Sequence, residues 1–424
     1  MATVAVILAG GKGTRSADPA RAKLAQKIGG HSLLEWHLRL IETTEINQIV
    51  VVAGHLGDQV QSLCEAVSSP HAELRVIHEQ RQGGTVSALR LAAQQVDADE
   101  FLVILGDVLM SLPVEQLLNE WRASGAGVAV VVHPSSHPQD SDAAFPSHDG
   151  AVVVVPKSQS RGHVPNMSSA GLFAINREAL DRYALCKDFG SGLLPLAAEN
   201  RDLYAFVSSH YLKDTGTLDR LKAAQRDVAS GAFERRGQLR ARPALFLDRD
   251  GVINPNQPEF YRLDEYVLLP DVARAIKGAS QAGVPANVVT NQPHIAKGFR
   301  NFDDHQRVRA RMDELLGAAG AFVDDYLFCP HHPESGFKGE SEQLKISCEC
   351  RKPGVGMAIE AQSRHSLDLA RSVMVGDTHR DRGFAENTGM RFIYVSNTPE
   401  SEDLANCLPK AADAIRRGIE IVTC

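Results

Sequence analysis

The stretch LFLDRDGVIN, residues 245–254, joins an apolar run to two aspartates, Asp248 and Asp250, and then to a glycine. Side chains alternate along a strand, so both carboxylates face one side at its C-terminal end, where open α/β sheets hold their chemistry. An ionised carboxylate can attack phosphorus, and a protonated one can supply the leaving oxygen with a proton. Taken alone, an Asp-Gly pair is more often an ordinary turn.

The composition of the 424-residue chain predicts a globular protein of two to three domains. It is 43% hydrophobic with a formal net charge of -7, and no apolar run is long enough to span a bilayer. The opening residues lack the basic flank of a secretory signal, so a cytoplasmic location is expected. The mild negative charge favours neither nucleic acid nor a membrane as partner, which leaves small anionic substrates met by local basic residues. The sequence leaves homo-oligomerisation open.

Two segments of the same kind open the two halves of the chain. VAVILAGG begins at Val4 and ALFLDRDG begins at Ala244, and each apolar strand runs into a glycine turn. This pattern predicts two Rossmann-like α/β domains, residues 1–230 and 243–424, with a polar linker at 231–242. Further strands are predicted at 49–53, 101–105, 127–132, 151–155, 286–289 and 372–375, and a helix at 85–95.

A glycine-rich turn follows the first strand. LAGGKGTR, residues 8–15, places Gly10, Gly11 and Gly13 where backbone N–H groups can approach phosphate oxygens, and Arg15 can add a charged contact. The turn lacks the Gly-Lys-Ser/Thr of nucleoside triphosphatases and the glycine spacing of dinucleotide-binding folds. A turn without function is the alternative for this motif alone.

Two separated aspartates complete the pattern of the first half. Asp107 ends the apolar stretch FLVILGD, and Asp214 lies in LKDTGT. At one edge of a sheet the two carboxylates could hold magnesium against phosphate oxygens.

In this order, the three motifs resemble those of the sugar-1-phosphate nucleotidylyltransferases over residues 1 to about 225. The resemblance implies a mixed sheet, and a reaction in which a sugar 1-phosphate attacks the α-phosphorus of a nucleoside triphosphate and releases pyrophosphate. It assigns magnesium to Asp107 and Asp214, and the reacting phosphates to Lys23. It assigns the other contacts as follows: the nucleotide to Gly10, Gly11, Gly13, Thr14, Arg15, Gln80, Gly83, Gly84 and Thr85, and the sugar phosphate to Lys157 and Gly171.

The lysine segments depart from the family pattern. Ala22-Lys23-Leu24 stands where the family usually has Pro-Lys-Pro, and Lys157 lacks the usual flanking Glu and Pro. A solvated surface lysine is therefore the alternative for each of them. For the whole first half, the alternative is a nucleotide-sugar-binding module without turnover.

Three more segments of the second half lie at or near predicted strands: VVTNQ at 288–292, CRKP at 350–353 and VMVGDTHRD at 373–381. Thr290 could hydrogen-bond a phosphate and Lys352 could neutralise it. Asp377 could complete a magnesium site with Asp248 and the backbone carbonyl of Asp250. Asp381 would either support that site or cap the following helix.

Together these segments resemble the haloacid dehalogenase superfamily of phosphatases over residues 243–400, in the branch that contains histidinol-phosphate and heptose-bisphosphate phosphatases. The resemblance implies a parallel sheet, with Asp248 as nucleophile and Asp250 as the general acid that later activates water. It also assigns substrate contacts to Asn291 and Arg351. Pro293 and His294 stand where the branch has Ser and Gly, and His294 is expected to be a surface histidine.

Four of the potential metal ligands of the second half occur as two pairs. Cys329 and His331 form a Cys-x-His pair, and Cys348 and Cys350 form a Cys-x-Cys pair. Three thiolates and an imidazole fit a closed tetrahedral zinc site, which is structural and not catalytic. The branch named above typically has such a loop just before its phosphate-binding arginine and lysine. His332 is expected to be exposed, and no metal role is expected for Cys64, Cys186, Cys407 and Cys424.

The two chemistries can follow one another. A phosphatase of this branch can make a sugar 1-phosphate, and a nucleotidylyltransferase consumes one. The sequence therefore predicts a bifunctional enzyme that converts D-glycero-D-manno-heptose 1,7-bisphosphate to the 1-phosphate and then to a nucleotide-activated heptose. Family association favours GTP as the nucleotide donor. The alternatives are a histidinol-phosphate or other sugar phosphatase, and a hexose-1-phosphate transferase that uses another nucleotide.

Overall fold

The computed structural model describes residues 2–11, 20–67, 69, 71–159, 164–237, 240–256, 262–395 and 410–423. The chain divides into two compact units: residues 1–133, 139–160 and 167–238 in the first, and residues 134–138, 161–166 and 239–424 in the second. Among the helices of the described ranges, none has both the length and the apolarity needed to cross a bilayer.

The first unit is a mixed α/β structure. Its strands are β1 (Thr3–Ala9), β2 (Lys27–Ile28), β3 (His31–Ser32), β4 (Gln48–Ala53), β5 (Glu73–His78), β6 (Glu100–Leu105), β7 (Val108–Ser111), β8 (Val128–His133), β9 (Ala143–Pro146), β10 (Val152–Val155), β11 (Ser168–Asn176), β12 (Leu203–Val207) and β13 (Tyr211–Asp214). Its helices are α1 (Leu33–Ile41), α2 (Gly57–Ala66), α3 (Thr85–Ala93), α4 (Val114–Ser124), α5 (Arg177–Arg182), α6 (Leu194–Glu199), α7 (Leu218–Ala229) and α8 (Ala232–Arg236). Short turns of 3₁₀ or π type lie at Lys23–Ala25, Pro138–Asp140 and Phe189–Leu193.

The main sheet of the first unit is parallel at one side and antiparallel at the other. Strands β5, β4, β1 and β6 lie in that order and pair in parallel. Strand β11 then pairs antiparallel with β6, β8 and β9. The chain adds β4 and β5 to one side of β1 before it returns to add β6 to the other. The C-terminal ends of β1 and β6 therefore border the switch-point crevice where open sheets bind ligands.

The second unit is a parallel sheet between two layers of helices. Its strands are β14 (Leu245–Leu247), β15 (Ala286–Asn291), β16 (Asp325–Cys329), β17 (Val373–Gly376) and β18 (Arg391–Tyr394). Its helices are α9 (Val272–Gln281), α10 (Phe302–Ala318), α11 (Gly356–His365), α12 (His379–Thr388) and α13 (Ala411–Thr423). Single 3₁₀ turns lie at Leu263–Glu265, Glu342–Leu344 and Leu369–Arg371.

The first strand of this sheet illustrates why both faces are covered. Leu245 and Leu247 point into a core shared with α9, α10 and α13, whereas Phe246 points into a core shared with α11 and α12. The strand order is β16-β15-β14-β17-β18, and every neighbouring pair is parallel. The switch point therefore lies between β14 and β17.

The predicted fold class is confirmed, with a mixed sheet in the first unit and a parallel sheet in the second. Predicted strands 49–53, 101–105 and 286–289 fall within β4, β6 and β15, and the other three begin slightly earlier than β8, β10 and β17. The predicted helix at 85–95 corresponds to α3.

The segment predicted as a linker, 231–242, is not a plain connection. It contains helix α8, in which Phe233 is buried. The Phe233 ring centroid lies 4.8 Å from that of Trp36 and 4.9 Å from that of Tyr211. One aromatic residue among polar neighbours has no visible period, so the sequence pattern did not reveal this contact.

Candidate active sites

A cavity of about 450 Å³ lies at the switch point of the first unit. Both strands that border the crevice contribute to its wall, and so does the N-terminal end of α3. Among the residues predicted to bind substrate or metal, the wall contains Gly10, Gly11, Lys23, Gly84, Thr85 and Asp107. Gly13, Thr14 and Arg15 lie outside the described residues. The glycine turn therefore borders a space that a nucleotide could enter.

Asp107 and Asp214 meet at a glycine that the motifs did not identify as part of the site. Strand β13 pairs antiparallel with β7, which places Asp214 opposite Val108. A Cβ atom on Gly216 would lie 2.9 Å from Asp214 Oδ1 and 3.4 Å from Asp107 Oδ2. Two carboxylates that both lie this close to one point offer the oxygen ligands that magnesium prefers.

Each of these carboxylates pairs with a cation. Lys23 Nζ lies 2.6 Å from Asp107 Oδ2, and both side chains are about a quarter exposed. Arg220, near the start of α7, pairs with Asp214 and with Asp140. Lys23 thus contacts a carboxylate of the site, in contrast to the solvated surface lysine that was the alternative. Arg220 was missed because nothing in its local sequence distinguishes it from a surface arginine.

The turn between β5 and α3 forms another part of the wall. The backbone N–H of Gly83 donates to Glu79 Oε1 at 3.0 Å, and the Gln82 side chain donates to the carbonyl of Gly10. Gly84 has a φ of 102°, and a Cβ there would lie 2.5 Å from the carbonyl oxygen of Lys187, so only glycine fits. Of the predicted nucleotide contacts here, Gly83 and the exposed Gln80 are absent from the described cavity wall.

Two acidic wall residues were missed by the sequence analysis. Glu79 receives the Gly83 N–H, and Asp188 Oδ1 receives the backbone N–H of Thr85 at 3.0 Å. Both line the cavity. Glu79 bonds to a residue of the same turn, and Asp188 bonds to one about a hundred residues away in the chain. No local sequence motif indicates either contact.

The two predicted sugar-phosphate contacts have different surroundings. Gly171 has a φ of 76° at the irregularity of β11 where the register shifts between Ser169 and Phe173. A Cβ on it would lie 3.0 Å from the Leu105 side chain, which lines the cavity. Lys157 is exposed and is absent from the described wall; its backbone N–H donates to Asp142 at 2.9 Å. Gly171 therefore packs behind a residue of the described cavity wall, and neither Gly171 nor Lys157 is part of that wall.

The switch point of the second unit holds a buried cluster of charges. Asp248, Asp377 and Asp381 each present a carboxylate oxygen, and the three atoms lie within 4.8 Å of one another. Lys352 Nζ lies 3.0 Å from Asp248 Oδ1 and 2.5 Å from Asp381 Oδ1, with only 2% of its side chain exposed. Asn256 donates to Asp377 Oδ2 at 2.9 Å. Three carboxylates and one ammonium leave net negative charge, which a divalent cation would neutralise.

The protonation of this cluster follows from burial and charge. Burial raises the pKa of Asp248 to about 8, and the ammonium of Lys352 opposes that rise. Burial also raises the pKa of Asp377. For Asp381, burial is outweighed by Lys352, and the pKa is lowered. Asp381 also forms a capping box with Thr378 at the start of α12, so it both caps the helix and belongs to the cluster.

Asp250 is held by donors that the motifs did not identify. Arg249 Nη2 lies 2.8 Å from Asp250 Oδ2, Gln292 Nε2 donates to the same oxygen at 2.9 Å, and Asn254 Nδ2 donates to Oδ1 at 2.9 Å. Burial alone would raise the pKa of Asp250, but Arg249 and these hydrogen bonds lower it. The predicted role of Asp250 as a general acid requires a protonated carboxyl group, whereas these surroundings favour the carboxylate, because every described partner donates.

The other residues predicted to contact the substrate form hydrogen bonds with neighbouring groups of the protein. Thr290, 1% exposed, accepts from Gln292 Nε2 at 3.0 Å, so its own hydroxyl hydrogen is available to a phosphate oxygen. Asn291 was predicted to contact substrate, but its amide bonds the backbone of Lys352 at both ends, at 2.9 and 3.1 Å. Arg351 donates to the carbonyl of His331 at 3.2 Å. Asn291 therefore positions Lys352.

The two cysteine pairs come together as one cluster. Cys329 Sγ lies 3.6 Å from Cys348 Sγ and from His331 Nδ1. Cys350 Sγ lies 3.2 Å from the same two atoms, Cys348 Sγ and His331 Nδ1. In a tetrahedral zinc site, with Zn–S near 2.3 Å, neighbouring sulfur atoms lie about 3.8 Å apart. The donor types and their spacing therefore fit such a metal.

Two histidine predictions are corrected. His332 is buried, not exposed, with Nδ1 3.3 Å from the carbonyl of Glu334 and its ring against Phe337. His294 is half-buried beside Phe299. Phe337 of the loop packs against His332 and against Phe299, and Phe299 lies beside His294; no periodicity predicts these contacts. Cys64 and Cys186 are free thiols outside the cluster, and Cys407 and Cys424 lie outside the described residues.

Comparison with known proteins matches both units to enzyme families. The MobA-like NTP transferase domain family matches residues 5–187, and the HAD-hydrolase-like family matches residues 349–417. A candidate glucose-1-phosphate thymidylyltransferase from Bacillus anthracis, solved by crystallography, shares 20% identity over 53% of this chain and 94% of its own, with a TM-score of 0.47.

Curated relatives match the chain at higher identity. The D-glycero-beta-D-manno-heptose-1,7-bisphosphate 7-phosphatase of Photorhabdus laumondii is 34% identical over 187 residues, 41% of this chain and 97% of the relative. The D-glycero-D-manno-heptose-1,7-bisphosphate 7-phosphatase of Thermosynechococcus vestitus is 40% identical over 157 residues, 36% of this chain and 79% of the relative. The chain therefore belongs to the heptose-1,7-bisphosphate 7-phosphatase family and also carries a MobA-like NTP transferase domain, which makes it a bifunctional phosphatase and nucleotidyltransferase.

Proposed function

We propose that this enzyme removes the 7-phosphate of D-glycero-D-manno-heptose 1,7-bisphosphate and then transfers a nucleotidyl group to the heptose 1-phosphate. Residues 243–424 would carry the hydrolysis and residues 1–230 the transfer. The observation that carries the proposal is the pairing of the Asp248 cluster, in a chain whose relatives are named for this bisphosphate, with a second site at Asp107 and Asp214. The first reaction leaves a sugar 1-phosphate, which the second consumes.

In the hydrolysis, a carboxylate oxygen of Asp248 attacks the 7-phosphorus and the bond from phosphorus to the sugar oxygen breaks. Asp250 must be protonated for this step, against the lowered pKa that its neighbours give it, and it passes the proton to that oxygen, while Lys352 and Thr290 hold the phosphoryl oxygens. Water then attacks the aspartyl-phosphate, Asp250 takes its proton, and phosphate leaves. A magnesium ion held by Asp248, Asp377 and the backbone carbonyl of Asp250 would neutralise charge on the phosphoryl group.

In the transfer, an oxygen of the sugar 1-phosphate attacks the α-phosphorus and pyrophosphate leaves, so no side chain has to act as nucleophile. The protein must align two anions and neutralise their charge. The backbone of Gly10 and Gly11, with Gly13, Thr14 and Arg15, would bind the nucleotide. Lys23 would meet the reacting phosphates, and Asp107 with Asp214 would hold magnesium. We propose GTP as donor by association with heptose pathways.

The test is a product assay. The full chain is incubated with magnesium, heptose 1,7-bisphosphate and each of four nucleoside triphosphates, and products are identified by mass. We expect phosphate, pyrophosphate and GDP-heptose; phosphate without any nucleotide sugar would defeat the coupled reaction. Histidinol phosphate in place of the bisphosphate tests the other substrate of the branch. The substrates are small metabolites, and we propose that the enzyme acts on them in the reducing cytoplasm.

We also propose that Cys329, His331, Cys348 and Cys350 bind a structural zinc ion. The four donor atoms lie within 4.8 Å of one another, which supports this assignment. Elemental analysis of purified protein should give about one zinc per chain. Cys348→Ser should abolish that zinc, whereas Cys186→Ser, a matched change at a thiol outside the cluster, should retain it. Equal zinc in both variants would contradict the assignment.

A further inference from the structure

The side chains around Asp250 form a connected set, Arg249, Asn254 and Gln292, which we call the Asp250 cage. None of the three belongs to the catalytic groups assigned above. We propose that Gln292 is a positioning residue that fixes the carboxyl group of Asp250 for proton transfer to the leaving oxygen. This inference rests on the proposed function, in which Asp250 is the general acid.

The geometry of Gln292 supports this role. Its side chain is buried, with 4% of the residue exposed. Its Nε2 donates to Asp250 Oδ2 at 2.9 Å and to Thr290 Oγ1 at 3.0 Å, and its Oε1 accepts from Arg249 Nη2 at 3.1 Å. One amide therefore links the expected acid to the hydroxyl group expected to bind phosphate.

The network allows only one orientation of that amide. Arginine can only donate, so the oxygen of Gln292 must face Arg249, and its nitrogen then faces Asp250. Both amide hydrogens are then used, one on Asp250 and one on Thr290. A side chain with every donor and acceptor engaged has little freedom to turn, and it transmits that restraint to Asp250.

The cage is anchored in the protein interior. Arg249 lies between two aspartates of one strand end, so alternation predicts that it points away from them. Its guanidinium nevertheless turns back to Asp250 and also donates to the Tyr326 hydroxyl at 3.2 Å. Asn254, fully buried, accepts from the Tyr266 hydroxyl at 2.9 Å. Two tyrosines thus hold the other members of the cage.

A comparison of leaving groups tests the role. An alkyl oxygen such as that of the heptose 7-phosphate needs a proton as it leaves, whereas dinitrophenolate leaves without one. The constant kcat/KM reports phosphoryl transfer to Asp248 and not the later hydrolysis, provided that the transfer is irreversible. In Gln292→Met, which keeps length but removes the hydrogen bonds, we expect kcat/KM for heptose bisphosphate to fall about tenfold or more relative to that for 2,4-dinitrophenyl phosphate.

Three further variants show what a change in that ratio means. Asp250→Asn should lower the same ratio further, and Gln281→Met, the same change at an exposed site on α9, should leave it unchanged. Gln292→Asn keeps a polar amide but is one methylene too short to reach Asp250 and Arg249 together, so it should also lower the ratio, even if Gln292→Met fails to fold.

The outcomes separate this inference from the proposed function. Equal losses with both substrates in Gln292→Met and Gln292→Asn would mean that Gln292 acts only through Thr290 or through the fold, which would overturn the inference. A normal ratio in Asp250→Asn would instead remove the acid role of Asp250 itself.

Discussion

The two switch-point sites place charged residues in opposite environments. In the first unit, the Lys23 and Asp107 side chains are 25% and 28% exposed beside a cavity of about 450 Å³. In the second, Lys352 and Asp381 are 2% and 0% exposed. The first site has room for a large anionic substrate, and the negative charge of that substrate balances the positive charges of the site. The second holds most of its charges against one another before any substrate arrives.

The difference follows from the chemistry that each site is proposed to perform. Nucleotidyl transfer needs alignment of two bound phosphates, with no covalent adduct on the protein. Phosphoester hydrolysis through Asp248 needs a nucleophile and an acid that are fixed before reaction. A buried charge cluster is costly to disturb, whereas a partly exposed ion pair is less so. Substitutions should therefore have different effects in the two units.

The largest expected effect is on the nucleophile. Asp248→Asn should lower phosphate release by roughly 10⁴-fold or more, because no other group can take the phosphoryl group. Nucleotidyl transfer from supplied heptose 1-phosphate should be unchanged. Assays of phosphate and pyrophosphate on the same preparation measure both reactions. Loss of both activities in a folded variant would show that the two sites are not independent.

A smaller but still large effect is expected on the stability of the second unit. Lys352→Met leaves Asp248 and Asp381 buried without their cation, which should destabilise this unit by about 3 kcal/mol. Chemical denaturation followed by near-UV signals measures that loss. Lys338→Met, at an exposed lysine of the same unit, is the matched control. Equal stability of the two variants would contradict the view that the cluster depends on Lys352.

In the first unit, activity and stability should separate. Asp107→Ala should reduce pyrophosphate release by about 10²-fold, because a metal-binding carboxylate is lost. Its cost in stability should stay below about 1 kcal/mol, because the pair with Lys23 is partly exposed. Phosphatase activity should not change. Unaltered transfer in this variant would remove Asp107 from the transferase site, whereas a wild-type enzyme that released no pyrophosphate would favour the alternative of a binding module without turnover.

The smallest expected effect is a dependence of stability on pH. Burial would raise the pKa of Asp325, but Arg364 and His365 lower it well below its usual value. A lowered folded-state pKa stabilises the fold above the unfolded pKa, near 3.9, and this stabilisation is lost as pH falls. The unfolding free energy of the wild type should exceed that of Asp325→Asn at pH 7. This gap should narrow from about pH 5 downward, and a constant gap would contradict the assignment.

Strand ends and ligand spacing could be predicted from the sequence because they follow local rules. Asp248 and Asp107 end apolar strands, and the C-terminal edge of a parallel sheet collects such residues. The spacing of Cys329, His331, Cys348 and Cys350 is likewise local information, and the four side chains do meet.

What could not be predicted depends on partners distant in the chain or on side-chain direction. Gln292 reaches Asp250 from the end of the neighbouring strand, and Asp188 reaches Thr85 across about a hundred residues. Arg249 turns back against the alternation of its strand. The loop that covers His332 also has no period to read. Tertiary contacts decide all of these, and a single sequence carries no direct trace of them.

Helix α8 determines where the halves can be separated. A polypeptide that stopped at residue 230 would lack Phe233 and leave Trp36 and Tyr211 with a solvent-exposed hydrophobic gap. One that continued to residue 237 would keep this aromatic trio intact. A transferase fragment intended for isolated assay should therefore retain α8. Poor solubility of a shorter fragment would reflect the loss of the Phe233 contacts and not an intrinsic dependence on the phosphatase unit.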